Sequence, residues 1–212
     1  MELEGRVGPI QAADGSEEPL RLGREGQVVV GDGYGKYHEA TSRGNVFSVS
    51  TAVAGVAPGT ALSTTPPMAL WNPQNSGYVI SVLQASLGYV SGTLGAGTIA
   101  FAAVHSQTTT PSGGSELTAT NCNLIGNLGR PVARAWQGST LASTPLIVRP
   151  AFILGAFLAS TATIAPVLKD PLDGEFVIYP GGVLVMQGIA AAGSSPLVLF
   201  GLSWQEVALL QA

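Results

Sequence analysis

The chain has 212 residues, 46% of them hydrophobic and only 10% charged, with 28 glycines, 14 prolines, one cysteine and a formal net charge of −4. This balance excludes a disordered chain, which combines low hydrophobicity with high net charge, and gives no electrostatic basis for nucleic acid as a partner. The single cysteine, Cys122, excludes an intrachain disulfide and fits a reducing compartment or a particle assembled in one.

The start, Met1-Glu2-Leu3-Glu4-Gly5-Arg6, has neither a basic beginning nor an apolar run, so no signal peptide is expected. Residues 1–26 hold few apolar positions and many turn formers, among them Gly5, Gly8, Pro9, Asp14-Gly15, Pro19 and Gly23. They read as an extended arm. Gln27–Val30 is a short strand signal, and Asp32-Gly33 is a turn after it. Lys36–Ala40 and Asn45–Val53 are expected to be extended. Past Pro58-Gly59 and Pro66-Pro67, the β-branched and aromatic run Tyr78–Leu87 predicts a strand. Thr98–His105 predicts another, joined to it by a glycine-rich turn over Gly92–Gly97.

Gln107–Ser115 reads as a polar, exposed loop. Leu117–Ile125, Pro145–Leu154, Glu175–Tyr179 and Val183–Ile189 are further strands, with Pro180-Gly181-Gly182 as a corner. In Leu197–Glu206, Val198, Phe200, Leu202 and Trp204 share one face while Gly201, Ser203 and Gln205 share the other, the pattern of a strand with one buried face. The best helical candidate is the tail, Trp204–Gln211. Ala151–Leu168 and Gly181–Gln205 are uncharged but broken by glycine, serine, threonine and proline. They read as buried strands rather than membrane spans. Many short strands with Gly/Pro turns predict an all-β sandwich or barrel.

Charge divides the chain. Residues 1–43 carry 13 of its 22 charged side chains, whereas Gly44–Ser115, 72 residues long, has none. A free-standing soluble domain keeps a mixed-charge surface. Either Ser, Thr, Asn and Gln solvate this stretch, or part of the body is buried against copies of itself or a partner, because interface cores are depleted of charge. A mixture of the two, with a symmetric oligomer as its consequence, is expected. The division gives an extended charged arm over 1–45 and a β-sandwich body over 46–212.

Sites of chemistry are sparse. His38 and His105 lack the spacing of a helical zinc site. Gly31–Lys36 departs from a phosphate loop, with Val30 where the first glycine must stand and Tyr37 where a hydroxyl residue must follow the lysine. No Gly-x-Ser-x-Gly elbow occurs. Asp170-Pro171-Leu172-Asp173-Gly174-Glu175 offers oxygen ligands for a cation but reads as a charged turn before a strand. Cys122 reads as a buried small hydrophobe. No catalytic residue, metal or cofactor is therefore expected. Arg21, Arg24, Lys36, Tyr37 and Arg43 mix cations with an aromatic and are the candidate partner-binding residues, within an arm that orders on a larger surface.

Glu18–Val30 resembles a short lead-in of small virion proteins of tailed phages, and Tyr37–Phe47 resembles its continuation. The Ser/Thr/Gly/Ala-rich body, with Phe176–Val185 as a Pro-Gly-Gly-linked strand pair, is similar to their sandwich part. The resemblance implies a capsid cement (decoration) protein, made in the host cytoplasm and carried on the outer surface of an icosahedral head. It further implies a jelly-roll-like antiparallel β-sandwich that trimerises, with the major capsid protein as the partner of its arm. Two alternatives stay open. One is a tail- or fibre-associated virion protein. The other is a carbohydrate-binding β-sandwich with Trp71, Trp136, Tyr78 or Tyr89 as a stacking platform.

Overall fold

The structure is a computed structural model that describes residues 35–125, 129–154, 168–189 and 193–209. The chain divides into two units, Met1–Glu39 and Ala40–Ala212. The expected strand Gln27–Val30 and turn Asp32-Gly33 lie outside the described residues.

One short helix and twelve strands occur among the described residues. They are α1 (His38–Ser42), β1 (Val46–Ser50), β2 (Met68–Trp71), β3 (Tyr78–Leu94), β4 (Gly97–Val104), β5 (Ser115–Leu117), β6 (Thr120–Asn121), β7 (Arg134–Gln137), β8 (Leu146–Leu154), β9 (Leu168–Pro171), β10 (Val177–Ile178), β11 (Val183–Ile189) and β12 (Gly193–Ala208).

The strands form two antiparallel sheets. One has the order β10-β3-β12-β1-β6, with β9 also on β3, and the other the order β5-β7-β2-β11-β4-β8. β9 and β10 run along the same edge of β3, pairing Leu87–Gln84 and then Ser81–Ile80, so they act as one interrupted strand. Counting them so, eight strands pair first with last: β1 with β12, β2 with β11, β3 with β9 and β10, β4 with β8. A long hairpin rolled up on itself produces this order, which is that of a double-sheet jelly roll. The expected all-β sandwich is the observed fold. β5, β6 and β7 are an insertion between the fourth and fifth strands. β6 extends one sheet beyond β1, and β7 and β5 extend the other beyond β2.

Alternation explains the core. Val198, Phe200, Leu202, Trp204 and Glu206 are the buried positions of β12. The four apolar ones cluster with Ile80, Val82, Ala85 and Leu87 of β3, Met68 and Leu70 of β2, and Ile99 and Phe101 of β4. Each large side chain so buried contributes about 1.5–3 kcal/mol. Phe47 stacks on Trp204 with centroids 6.1 Å apart.

A second apolar layer lies on the other face of the β2-β11-β4 sheet, where Ala69, Trp71, Ala102, Val104, Val183 and Val185 pack with Leu62, Trp136 and Leu141. Buried amides hold its cover in place. The Gln187 side chain accepts from Ser63 N at 3.3 Å and donates to the Ala61 carbonyl at 2.6 Å. Gly188 N donates to the Pro58 carbonyl at 2.6 Å, where a Cβ would overlap the Pro58 and Gly59 carbonyls. Trp71 donates to the Gln107 carbonyl, and the Gln107 amide oxygen accepts from Ala142 N. Covered on both faces, β11 is buried along most of its length.

Four expectations are corrected. Lys36–Ala40 is not extended: α1 begins inside it, initiated by the turn His38 N to Gly35 O and ended by Gly44 at φ 77°. The tail is strand through Ala208, because it pairs with β3 down to Tyr78. Leu117–Ile125 is not one strand, since Thr118 and Ala119 carry the chain from one sheet to the other. Of Glu175–Tyr179 only Val177 and Ile178 pair, because the chain first bulges over Leu83 of β3. There Leu172 N and Asp173 N both donate to the Leu83 carbonyl. Three short strands, β2, β7 and β9, were not expected, and β9 takes in Asp170 and Pro171 of the expected charged turn; at four residues each they are too short to display a period.

Candidate interaction surface

The two sides of the jelly roll are finished differently. On the insertion side the chain itself joins the sheets, through Thr118 and Ala119 between β5 and β6. Arg134 of β7 grips Glu116 of β5 with two hydrogen bonds, of 2.6 and 2.5 Å, and stacks 5.2 Å over the Trp136 ring. This bidentate hydrogen bonding holds the Glu116 carboxyl below its ordinary range, against a smaller opposing effect of burial. Glu206, on the buried face of β12, accepts from Val132 N at 3.0 Å, Ala133 N at 2.9 Å and Trp204 Nε1 at 3.2 Å. A buried carboxylate is tolerated only when so saturated. Its task is to fix the chain that enters β7.

On the opposite side, β8 edges one sheet and β9 with β10 edge the other. No described segment of chain joins them there; a side chain does. Arg149 of β8 donates to both carboxylate oxygens of Glu175, at 2.8 and 2.7 Å, and meets Asp170 Oδ2 at 3.0 Å. Its guanidinium lies 5.0 Å from the Phe101 ring and 5.4 Å from that of Phe176. The planar fork suits both roles, bidentate recognition of a carboxylate and stacking on rings. The hydrogen bonds that Arg149 donates lower the Glu175 pKa, and the same bonds, to Glu175 first and to Asp170, raise that of Arg149, each against a smaller effect of burial. The acidic cluster read as a possible cation site thus serves an arginine. Among the described residues no group of three or more His, Cys, Asp or Glu side chains could hold a metal ion.

Around this clasp the surface is apolar. Leu146, Ile147, Val148 and Ile153 of β8 are 66, 54, 50 and 83% exposed, and Val177 and Tyr179 across the gap are 48 and 61% exposed. A groove of about 350 Å³ opens beside them, lined by Ala103, His105, Val148, Phe176, Val177 and Tyr179. β8 is an irregular edge. Its pairing with β4 slips twice, leaving Ala151 and Val148 without partners, and Pro150 lacks a backbone N–H. Bulges and proline are devices that discourage pairing of an edge with a further strand.

The charge-free stretch Gly44–Ser115 is solvated differently. Its exposed positions are mainly Ser, Thr, Ala, Gly, Asn and Gln, and of the large exposed apolar side chains only Val53 belongs to it. Hydroxyl and amide groups therefore do most of its solvating. Nothing in the charge count pointed to β8; the signal that could have was Leu146-Ile147-Val148, three consecutive apolar residues in a strand.

Of the candidate partner-binding residues, Arg21 and Arg24 lie outside the described residues. Lys36 sits 5.4 Å over the ring of its neighbour Tyr37, just before α1, and Arg43 is in the turn that follows the helix. The aromatics considered as a saccharide platform are dispersed. Trp71 is buried, Trp136 lies under Arg134, and Tyr78 and Tyr89 pack against the inter-sheet core. Cys122 is half-buried, and burial raises its pKa. No helix among the described residues is long and apolar enough to cross a membrane.

No protein-family model matches the chain, and no curated protein does. Among solved structures it is similar to a chain of a "KBV activated particle at acidic pH", with 11% identity, over 99% of this chain and 91% of that one, at a TM-score of 0.25. A likeness this loose carries no argument.

Proposed function

We propose that this protein is a non-enzymatic structural subunit of a virion, and specifically a cement protein of a tailed-phage head. In this reading the arm, residues 1–45, docks on major capsid subunits at the outer surface, with Arg21, Arg24, Lys36, Tyr37 and Arg43 among its contacts. The β-body trimerises, and the protein is made in the host cytoplasm. The observation that carries the reading is a division of labour. Thirteen of 22 charges are gathered ahead of a jelly roll whose charge-free stretch is solvated mainly by hydroxyls and amides and which, among the described residues, exposes an apolar edge at β8. Jelly rolls build viral capsid and lectin domains alike, so the fold alone does not choose. The resemblance of Glu18–Phe47 to phage virion proteins favours the virion. Extended arms give main-chain contacts with little side-chain demand, and joining three through one trimer multiplies weak contacts by avidity.

The test is binding to expanded, undecorated heads followed by electron microscopy. The full chain is expected to decorate the heads, and a chain lacking residues 1–43 to lose that binding. Undiminished binding by the truncated body would overturn the docking role of the arm. Binding to tails instead of heads would replace the cement reading with the tail-associated one.

A further inference from the structure

We propose that the open edge of the jelly roll, β8 with Val177 and Tyr179, is the surface on which a second copy of this chain packs. The inference rests on the functional reading above and gives its self-association a place.

Chemistry argues first. Six large apolar side chains, each about half exposed or more, lie on this one edge, where a soluble monomer normally scatters them singly. Edge geometry argues next. An extended peptide would bind β8 by adding a strand, but Pro150 and the two slips in register spoil the row of donors and acceptors it would need. The occupant therefore presents side chains rather than a bare backbone.

Charge then selects the occupant. The ionised groups of this edge are Arg149, Lys169, Asp170, Asp173 and Glu175, two cations against three anions. Arg149, Asp170 and Glu175 are already engaged with one another. No patch of one sign remains to attract an oppositely charged partner, and two copies can meet without like-charge repulsion. Shape agrees, since the ridge Leu146-Ile147-Val148 runs beside a groove of about 350 Å³, so that one edge offers both a projection and a recess.

Sedimentation velocity of the full chain at about 50 µM, where a contact of micromolar strength is populated, tests this directly. The unmodified chain is expected to be oligomeric. Ile147→Lys and Ile153→Lys, each placing a charge in the contact, are expected to weaken association about tenfold or more. Val53→Lys, at a still more exposed apolar position in the loop after β1, is expected to leave it unchanged. Circular dichroism confirms that each variant is folded. A photo-crosslinking residue at position 147 gives a second readout, expected to capture β8 or residues 177–179 of another copy. A monomeric unmodified chain, an oligomer indifferent to both lysines, or crosslinks to other segments would overturn the proposal. Those results leave head binding by the arm unaffected, so the two readings fail separately.

Discussion

The two sides of this jelly roll solve the same problem with different means. Both must tie one sheet to the other where the strands run out. The insertion side uses covalent chain, β5 to β6, and backs it with a buried carboxylate that satisfies two backbone N–H groups and an indole. Among the described residues the β8 side is spanned by one arginine between two carboxylates and two rings, with apolar side chains exposed around it. The Glu206 carboxylate on the first side is consumed inward and stabilises the fold. On the second the ion pairs stay partly exposed, and large apolar side chains face solvent beside them. Among the described residues, chain closes the first side, whereas on the second one arginine spans the two edges beside exposed apolar side chains.

The comparison is most readily broken at Glu206. Glu206→Ala orphans three donors, two of them backbone, and is expected to cost about 3 kcal/mol in urea unfolding, with Glu206→Gln recovering part of it. A loss below about 0.5 kcal/mol would mean that the insertion is not held by this carboxylate. A smaller effect is expected across the gap. Arg149→Met keeps an apolar stem over Phe101 and Phe176 but removes the ion pairs, and should lower Tm by about 2 °C, since the pairs are solvent-screened.

Acidity sharpens the same contrast. Glu116 and Glu175 both have lowered pKa values through their arginines. The stability they contribute is complete above the ordinary carboxylate range and is lost as pH falls through their lowered values. The difference in urea midpoint between the unmodified chain and Glu175→Gln should therefore shrink on acidification, and a gap independent of pH would contradict the clasp. Smallest of all is the effect of Ile153→Thr on the stability of the folded monomer, expected within about 0.5 kcal/mol because the side chain is 83% exposed.

Much of the fold was legible. Val198, Phe200, Leu202 and Trp204 alternate without interruption, and β12 is where they predict. β3, β4, β8 and β11 were likewise visible as β-branched or apolar runs. β2 and β7 were not, because Met68–Trp71 and Arg134–Gln137 are four-residue strands with no room for a period. The interaction surface was legible only as a need. The long uncharged run suggested self-association, but most of its exposed positions proved to be small or polar, and the apolar surface lies on β8, outside it.

By itself the sequence determined that this chain is an all-β protein with its charge concentrated ahead of its body. Strand periodicity, turn residues and composition are local properties, readable along one line. Only the tertiary structure decided which sheet edges the insertion covers and which side chain ties the other side together. Arg149, Asp170 and Glu175 are charged residues like any others until β4–β8 and β3–β9 pairing bring them within hydrogen-bond distance. Leu146, Ile147, Val148 and Ile153 are ordinary strand residues until β8 proves to be an edge. Exposure belongs to neighbours supplied by distant parts of the chain, and no local pattern encodes it.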